Sequence, residues 1–477
     1  MLNAIKGIYN TVLASVRSNN HEYTDYIECP FGVKQGCSCS STLFCIFVTE
    51  LTRQINLQGR HGIQLMSGLR EIHHLLFADD TILVSDSIFG LQSKLNILHQ
   101  QCIRLGLNIN IEKTKIIVFR KGGHLSKFEN WNFGGLPIQV VNAYKYLGIE
   151  VTTRLSFTNS VSLLVAKAKQ TCYELQKTLN TINCHDINIF TKLFDSKVQP
   201  ILSYSCEVWG MCDLPNIEQV HTIALKRFLN VSIHASNTIV YGDTGRFPLY
   251  INHWIKCIKY WFRLLHMPRE RFPRQAYEML EKLDENGVQT WATNVRNILC
   301  KNGFGHVWIF KNVGDINQFC TAFKERLIDN FKQNWHCKLN SHEHLECYRS
   351  FKSMIEKEQF LHDNTFNRYT RNILLRFRFG VSDILCHRFR FCNDSTNKLT
   401  CPICRTDNEN EYHVMFVCSL YENLRTEMLP TKFILRRNIM KMYILLADSK
   451  YQFVLASYLC NMFKIRAHVL SERRNLR

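Results

Sequence analysis

The chain has 477 residues, 46% hydrophobic and 21% charged, which excludes a disordered tail and allows several buried cores. Lysine and arginine number 59 against 40 acidic residues, so the net charge is +19, which favours a polyanionic partner such as nucleic acid over a merely solvated basic surface. The sequence has no run of about 18 apolar residues and no secretory signal, so we expect an intracellular protein, nuclear or cytoplasmic, with no membrane partner.

A glycine-rich segment, Gly32-Val33-Lys34-Gln35-Gly36, is the first recognisable pattern along the chain. Glycines on either side of Gln35 let the backbone approach a flat ligand closely. Ser40 or Ser41 is predicted to cap the helix that follows. The apolar residues of that helix are Phe44, Phe47, Val48 and Leu51.

Two adjacent carboxylates, Asp79 and Asp80, lie between two apolar runs in residues 75–84. This pattern predicts a strand, a tight turn and a second strand, with packed apolar arms and the acids at the tip. Adjacent carboxylates repel each other, and a bound divalent cation relieves that repulsion. The alternative is an ordinary Asp-Asp turn without a ligand.

A helix follows, with Leu91, Leu95, Leu98, Cys102 and Leu105 on one face, and Gly106 is predicted to end it. Next come a short segment with Lys113 and Lys115, and a predicted strand at 144–149.

Residues 158–477 are predicted to be almost entirely helical. The helix at about 159–180, which Thr158 or Asn159 could cap, has a clear apolar stripe. Its lysines either line a nucleic-acid groove or are simply solvated. The stripe comprises Val161, Leu164, Val165, Ala168, Cys172, Leu175 and Leu179, and the lysines are Lys167, Lys169 and Lys177.

Near the C-terminus, Cys401, Cys404, His413 and Cys418 form the pattern C-x2-C-x8-H-x4-C. Thiolate and imidazole ligands suit tetrahedral Zn²⁺, and the opening C-x2-C allows a tight turn around the metal. For any one of these residues alone, a buried side chain without a metal would be the simpler interpretation. Cysteines in apolar periodic segments elsewhere, such as Cys102, Cys172 and Cys460, are predicted to be reduced core residues.

Taken in order, the first segments resemble the palm of the reverse transcriptases of LINE-type (non-LTR) retrotransposons. Residues 32–44 resemble the nucleotide-pocket motif, with Ser41 where the family usually has proline. Residues 77–80 resemble the aromatic-Ala-Asp-Asp metal motif. Residues 106–115 resemble the motif that follows it, and 144–148 resemble the primer-grip hairpin.

The resemblance implies a role for each matching residue. Asp79 would be the main Mg²⁺ ligand and Asp80 a supporting one, as in two-metal nucleotidyl transfer. Gln35 and Gly36 would line the deoxynucleotide pocket. Phe77 would pack beside the primer end, and Lys113 would neutralise or protonate the leaving phosphate. The partners implied are an RNA template and a DNA primer or target.

The later parts of the chain also resemble this family. Residues 200–210 are similar to its thumb segment, and 241–249 to a later linker motif, with Asp243-Thr244 where Glu-Leu is common. The cysteine–histidine cluster is similar to the family's C-terminal Cys-Cys-His-Cys element. The similarity includes an acidic residue before the histidine, Glu409 or Glu411, and Tyr421 after the last cysteine. The resemblance implies that this element engages nucleic acid.

The family also has a metal-binding aspartate in a strand well upstream of the Gly-x-x-Gln-Gly motif. Only 31 residues precede Gly32, and Asp25, the one aspartate among them, is too close to serve; we expect it to face solvent from a strand. These residues therefore predict a truncated enzyme with little or no polymerase activity, whose partner could be a missing N-terminal portion or an intact element protein. The alternative is a non-catalytic remnant that binds nucleic acid through its thumb and zinc element.

The predicted fold class is α+β: a partial right-hand palm, with a small antiparallel sheet and helices, followed by a mostly helical remainder. The predicted domains are a partial palm (1–153), a helical thumb (154–250), a helical connection (251–385), a zinc-knuckle-like element (386–430), and C-terminal helices with a basic tail (431–477).

Overall fold

The computed structural model describes residues 2–17, 19, 22–34, 36–59, 61–66, 70–120, 122–211, 214–389 and 399–475. They form two compact units, Met1–Ser156 and Phe157–Arg477. The fold class is mixed α+β, as expected, and all the named strands lie in the first unit.

The described residues of the first unit form four helices and nine short strands. The helices are α1 (Leu2–Tyr9), α2 (Ser40–Phe47), α3 (Thr49–Gln58) and α4 (Ile88–Leu105). The strands are β1 (Leu13–Ala14), β2 (Ile27–Glu28), β3 (His74–Phe77), β4 (Asp80–Leu83), β5 (Lys115–Ile116), β6 (Trp131–Phe133), β7 (Leu136–Val140), β8 (Ala143–Tyr146) and β9 (Ile149–Thr152).

The strands of the first unit form four small sheets where the sequence predicted one antiparallel sheet. Three are antiparallel pairs, β1–β2, β3–β4 and β8–β9, and the fourth has the order β5-β7-β6. In this sheet β6 and β7 form a hairpin, whereas β5 pairs in parallel with β7. The parallel pair is possible because the whole of β6 lies between β5 and β7 in the chain.

Helix α4 illustrates how the sequence sets the element boundaries. The Ser87 hydroxyl accepts a hydrogen bond from the Gly90 backbone N–H at 3.1 Å and so caps the first turn. Gly106 follows the last turn in the left-handed region (φ 65°), which confirms the predicted end. Leu95, Leu98 and Cys102 pack against α3 and the β5-β7-β6 sheet. Together they build the core of the first unit, which comprises Leu51, Ile55, Leu95, Ile97, Leu98, Cys102, Ile116, Trp131, Phe133 and Ile138.

The second unit is helical. Its helices are α5 (Thr158–Thr181), α6 (Ile187–Leu193), α7 (Gln199–Leu202), α8 (Cys206–Trp209), α9 (Pro215–Phe228), α10 (Asn237–Thr244), α11 (Leu249–Leu265), α12 (Phe272–Glu285), α13 (Trp291–Lys301), α14 (Gly305–Phe310), α15 (Ile316–Ser341), α16 (Glu346–Phe351), α17 (Arg368–Arg378), α18 (Leu385–Arg388), α19 (Glu422–Met428), α20 (Thr431–Ile434), α21 (Ile439–Ala447) and α22 (Ser449–Asn475). Two π-helical turns (Phe194–Val198, His413–Val417) and three 3-10 turns (Glu343–Leu345, Gln359–Leu361, Ser419–Tyr421) complete it.

Helix α5 buries the stripe that its sequence predicts. Val161, Val165, Ala168, Leu175 and Leu179 are buried, and Leu164 and Cys172 pack against the same core. The helix begins at Thr158, and Phe157, which provides no side-chain cap, holds the N-cap position. The predicted capping by Thr158 or Asn159 is therefore wrong, because both residues already lie inside the first turn.

Two hydrophobic cores hold the second unit together. The larger joins apolar residues of 161–249 to those of 335–462, and the smaller contains Met211 and apolar residues of 251–327. The chain therefore leaves the larger core after Leu249 and returns to it at Trp335. The predicted division of 154–477 into thumb, connection, zinc element and tail stays a prediction.

Among the described residues, no helix combines the length and apolar character needed to cross a membrane. The 18 cysteines in the described part of the chain are all free thiols. Cys102 and Cys460 are buried and Cys172 is half-buried, which agrees with their predicted packing role.

Candidate active site and metal centre

The two adjacent carboxylates lie at the tip of a β-hairpin. Strand β3 pairs with β4 in the register Phe77↔Asp80, so Ala78 and Asp79 make the turn. Ala78 has φ 53°, in the left-handed region that a two-residue hairpin turn requires. Both Asp79 and Asp80 are exposed, which confirms the predicted strand–turn–strand.

The arms of this hairpin are less packed than the sequence predicts. Leu75, Leu76 and Phe77 are exposed to 42%, 37% and 59%. In the partner strand, Ile82 and Leu83 are half-buried. The prediction of packed apolar arms is therefore wrong for β3, since nothing in the described part of the first unit covers that strand fully.

The hairpin of β8 and β9 lies beside the acidic tip. Burial raises the pKa of Tyr146 in β8, and the negative charge of Asp80 raises it further. On the same strand, the Tyr144 hydroxyl donates a hydrogen bond of 2.9 Å to the backbone carbonyl of Lys113. The structure thus connects Asp80, the β8–β9 hairpin and Lys113, three features that the sequence placed in one site.

The glycine-rich segment adopts the backbone that its glycines allow. Gly32 and Gly36 have φ values of 94° and 79°, and neither has a heavy atom near the position of an added Cβ. Gln35 lies outside the described residues. The predicted joint pocket of Gln35, Gly36 and the acidic hairpin therefore stays a prediction.

The serine predicted to cap the next helix has a different role. Cys39 holds the N-cap position of α2 without a side-chain hydrogen bond. The Ser40 hydroxyl instead donates to the Lys34 carbonyl at 2.5 Å, which ties the glycine-rich segment to the start of the helix. Asp25 is exposed, as expected, but it lies two residues before β2 rather than within a strand.

The cysteine–histidine cluster is assembled in the second unit. The ligand atoms of Cys401, Cys404, His413 and Cys418 all lie within 4.8 Å of one another. Cys404 Sγ and His413 Nε2 are 3.4 Å apart, a ligand–ligand separation compatible with a tetrahedral metal. Cys401, His413 and Cys418 are buried and Cys404 is half-buried, so this donor set fits a structural zinc ion.

The thiols of this cluster are poised for metal binding. A hydrogen bond from the Cys418 thiol lowers the pKa of Cys401 to about 4, helped by the backbone N–H groups of Cys404 and Ile403. The same interaction raises the pKa of Cys418, so the pair shares one proton. A lowered pKa favours the thiolate, which is the form that binds metals.

Comparisons with known proteins give matches to part of this chain. The sequence model of the family described as reverse transcriptase (RNA-dependent DNA polymerase) matches residues 3–151. The Pol polyprotein of the type-1 retrotransposable element R2 of Bradysia coprophila is 27% identical over 130 residues, 26% of this chain and 14% of that protein. The RNA-directed DNA polymerase of the mobile element jockey of Drosophila melanogaster is 21% identical over 207 residues. That match covers 42% of this chain and 22% of the relative. Residues 3–151 therefore match a reverse transcriptase domain, and these two relatives, both from mobile elements, support the resemblance to the LINE-type family.

The chain also resembles a transposon-derived protein of Caenorhabditis elegans, 28% identical over 140 residues. That match covers 29% of the chain and 50% of the relative, so the chain spans half or less of each of these three relatives. The family match includes the acidic hairpin and the β8–β9 hairpin but not the cysteine–histidine cluster.

Two arginines of α22 hold the cysteine–histidine loop. Arg466 forms a buried two-pronged ion pair with Glu409, one of the two acidic residues singled out before His413. Arg473 donates hydrogen bonds to the carbonyls of Pro402 and Ile403, inside the C-x2-C turn. The sequence placed these arginines only among the C-terminal helices and basic tail, because their partners lie 57 to 71 positions earlier in the chain.

Lys94, beneath the acidic hairpin, is a second residue that sequence reasoning missed. Its buried ammonium donates to the carbonyls of Val84 at 2.6 Å and His61 at 3.0 Å, just after β4 ends. Burial lowers its pKa. One signal was available: Lys94 interrupts the apolar stripe between Leu91 and Leu98, and a lysine there must find polar partners.

Proposed function

We propose that this chain serves RNA-directed DNA synthesis, with Asp79 and Asp80 as ligands of Mg²⁺ at the primer end. The observation that carries the proposal is the exposed two-carboxylate tip beside Tyr146 of the β8–β9 hairpin. The names of the R2 and jockey relatives support the same reaction. An RNA template and a DNA primer are the partners that this reaction requires.

Each residue of the proposed site would have a distinct role. Asp79 and Asp80 provide carboxylate oxygens, the donors that Mg²⁺ prefers when it also binds substrate phosphates. When bound, Mg²⁺ would activate the primer hydroxyl and stabilise the leaving pyrophosphate. Phe77, 59% exposed next to the tip, would pack against the primer end. The Tyr144 hydroxyl fixes the backbone of Lys113 by donating to its carbonyl, and the lysine ammonium would neutralise the leaving phosphate.

Residues 32–36 would complete the nucleotide pocket. Gly36 has a left-handed backbone without nearby heavy atoms around its Cα, which leaves its peptide open to a ligand. Gln35 and Gly36 would contact the incoming deoxynucleotide, as the resemblance implies. Two-metal transfer also uses a carboxylate from a neighbouring strand. Because Asp25 is exposed and outside any strand, we propose that this carboxylate comes from outside residues 1–477.

We also propose that Cys401, Cys404, His413 and Cys418 bind Zn²⁺ and form an element that contacts nucleic acid. The convergence of their four ligand atoms supports the metal. The basic net charge of the chain supports a nucleic-acid partner. The second candidate function, nucleic-acid binding without catalysis, would rest on this element and the helical unit around it.

Metal binding at the hairpin can be tested without polymerisation. Fe²⁺ takes the place of Mg²⁺, and with ascorbate and peroxide it generates hydroxyl radicals that cut the backbone near the ion. With an RNA–DNA primer–template and a deoxynucleotide present, we expect cleavage around residues 77–81. The cleavage should be lost in Asp79→Asn and retained in the control Asp86→Asn, an exposed aspartate after the hairpin.

Primer extension with Mg²⁺ on the same primer–template separates the candidate functions. Residues 1–477 alone should bind it in a salt-dependent way and extend it little or not at all. Sustained extension that Asp79→Asn abolishes would refute the need for an outside carboxylate. Absence of cleavage at the hairpin, with binding sensitive to Cys404→Ser and not to Asp79→Asn, would favour the non-catalytic function.

A further inference from the structure

A second group of metal-ligand side chains lies near the cysteine–histidine cluster. Cys386 and His387 belong to α18, and Glu411 precedes His413 by two residues. One ligand atom from each of Cys386, His387 and Glu411 lies within 4.8 Å of the other two. Neither the family match, which covers residues 3–151, nor the C-x2-C-x8-H-x4-C pattern includes Cys386 or His387.

One distance within this group lies in the range expected around a tetrahedral ion, and the other is shorter. His387 Nε2 is 2.8 Å from Glu411 Oε1, and Cys386 Sγ is 3.7 Å from Glu411 Oε2. With zinc bonds of about 2.0–2.3 Å, neighbouring ligand atoms in a tetrahedron are about 3.3–3.8 Å apart. Small movements would therefore let all three atoms face one ion.

The surroundings fix the orientation of the histidine ring. The Ser382 hydroxyl lies 2.7 Å from His387 Nδ1, the ring nitrogen opposite the one that meets Glu411, and the Ser382 backbone N–H donates to the same nitrogen at 3.3 Å. For Nε2 to bind a metal, Nδ1 must carry the proton and donate it to the Ser382 hydroxyl, an arrangement common around metal-bound histidines that replaces the longer contact from the N–H. The His387 side chain is fully buried and that of Glu411 is 13% exposed.

The two groups are also joined through the backbone. Glu409, which lies between Cys404 and His413, accepts a hydrogen bond at its carboxylate from the Leu385 N–H at 2.8 Å. Its backbone carbonyl accepts another from the Cys386 N–H at 3.2 Å. The segment that contributes His413 to one group therefore positions both α18 and Glu411 in the other.

We propose that Cys386, His387 and Glu411 bind a second zinc ion, with water in the fourth position. A thiolate and a carboxylate would balance the two positive charges of Zn²⁺, which favours a site that is mostly buried. Nitrogen, sulfur and oxygen donors in one tetrahedral set suit zinc better than Mg²⁺ or Ca²⁺. The alternative is a hydrogen-bonded Ser-His-Glu group without a metal.

The zinc content and ligand set of the full chain test this proposal. Two sites would bind about two zinc ions per chain, with three sulfur ligands in one and one in the other, an average of two sulfurs per zinc. A single site would give about one zinc with three sulfurs. Elemental analysis by mass spectrometry gives the first quantity, and X-ray absorption at the zinc edge gives the second.

Matched variants show which cysteines bind each zinc ion. Cys386→Ser should lose about one zinc and raise the average to three sulfurs per zinc, whereas the control Cys184→Ser, a half-buried cysteine of the same unit, should keep both ions. Cys404→Ser should lower the average number of sulfurs. A wild-type chain with one zinc and three sulfurs, or a folded Cys386→Ser chain with unchanged zinc, would overturn the proposal. Neither result depends on polymerase activity, so the proposed function is tested separately.

Discussion

The two units of this chain differ in how they bury apolar side chains. The described residues of 1–156 have a core of ten buried apolar side chains, and those of 157–477 have cores of 53 and 17. The second unit has about twice as many residues as the first but seven times as many buried apolar side chains in its cores. The elements of the proposed polymerase site are therefore held by few contacts, whereas the second unit is held by its own large interior.

Buried charges show the same difference. In the second unit, Arg378 has no exposed surface and pairs with Asp243 through two contacts of 3.0 Å and with Glu358 at 3.0 Å. The Tyr348 hydroxyl donates to Asp243 at 2.7 Å. In the first unit, the buried Lys94 donates hydrogen bonds to two backbone carbonyls. A fully buried charge pair thus joins helices of the second unit, whereas a buried amine joins α4 to backbone carbonyls in the first.

The largest expected effect comes from Arg378→Met. The substitution leaves the fully buried Asp243 without its cation, which costs about 3–5 kcal/mol for a buried pair. We expect the free energy of unfolding of 157–477 to fall by about that amount and that of 1–156 to stay unchanged. Denaturant-dependent hydrogen exchange, resolved by peptide, measures both units in one experiment.

The control for this prediction is Arg376→Met, the same substitution at an exposed position of α17. It should change the stability of either unit by no more than about 0.5 kcal/mol. An equal loss in both units after Arg378→Met would contradict their separation. A loss no greater than that of the control would show that Asp243 does not need the guanidinium.

Local patterns were predictable from the sequence, and long-range pairings were not. The stripe of α5, the end of α4 at Gly106 and the acidic turn each depend on residues within a few positions of one another. Arg378 and Asp243 are 135 positions apart, and nothing in the local sequence of either identifies the partner. Asp243 was singled out only as a departure from a family motif, although the structure gives it a buried ion pair.

The candidate site was predictable to a similar extent. The four ligands of the cysteine–histidine cluster lie within 18 positions, and their spacing alone suggests a metal. Cys386 and His387 form no spaced motif with Glu411, so only the fold brings them together. The capping role predicted for Ser40 was wrong because the helix begins at Ser40 itself, so Cys39 holds the N-cap position and the Ser40 hydroxyl donates to the Lys34 carbonyl.

A smaller effect is expected from Lys94→Met. Two carbonyls, of Val84 and His61, lose their donor, which costs about 1–3 kcal/mol. Removing a buried ammonium offsets part of this cost, because burial already lowers the pKa of Lys94. We expect a loss of stability confined to 1–156, with faster hydrogen exchange at the end of β4.

The matched control is Arg104→Met, an exposed position on the same helix. If Lys94→Met left exchange in β4 unchanged, or stabilised the unit, the hairpin would not depend on this amine. In that case the few buried residues of the first unit would be sufficient to hold the acidic tip.

The smallest expected effect concerns a surface charge of the second unit. Hydrogen bonds from Arg437 and Arg425 lower the pKa of Glu422 to about 2, against an ordinary value of 4.5. A lowered pKa in the folded chain contributes stability that is present above about pH 4.5 and disappears as the pH falls through 2. Because the side chain is 44% exposed, solvent screening limits the contribution to about 1 kcal/mol.

Glu422→Gln should therefore be slightly less stable than the wild type at neutral pH, with the difference shrinking between pH 4.5 and 2. The control Glu427→Gln, on the exposed side of α19, should show no such pH dependence. Tryptophan fluorescence is a suitable probe, because six of the seven tryptophans lie in 157–477. A difference in stability that stays constant down to pH 2 would mean that the charge of Glu422 does not stabilise the fold. The cost of the substitution would then come from the poorer fit of the glutamine amide to the two arginines, which is the same at every pH.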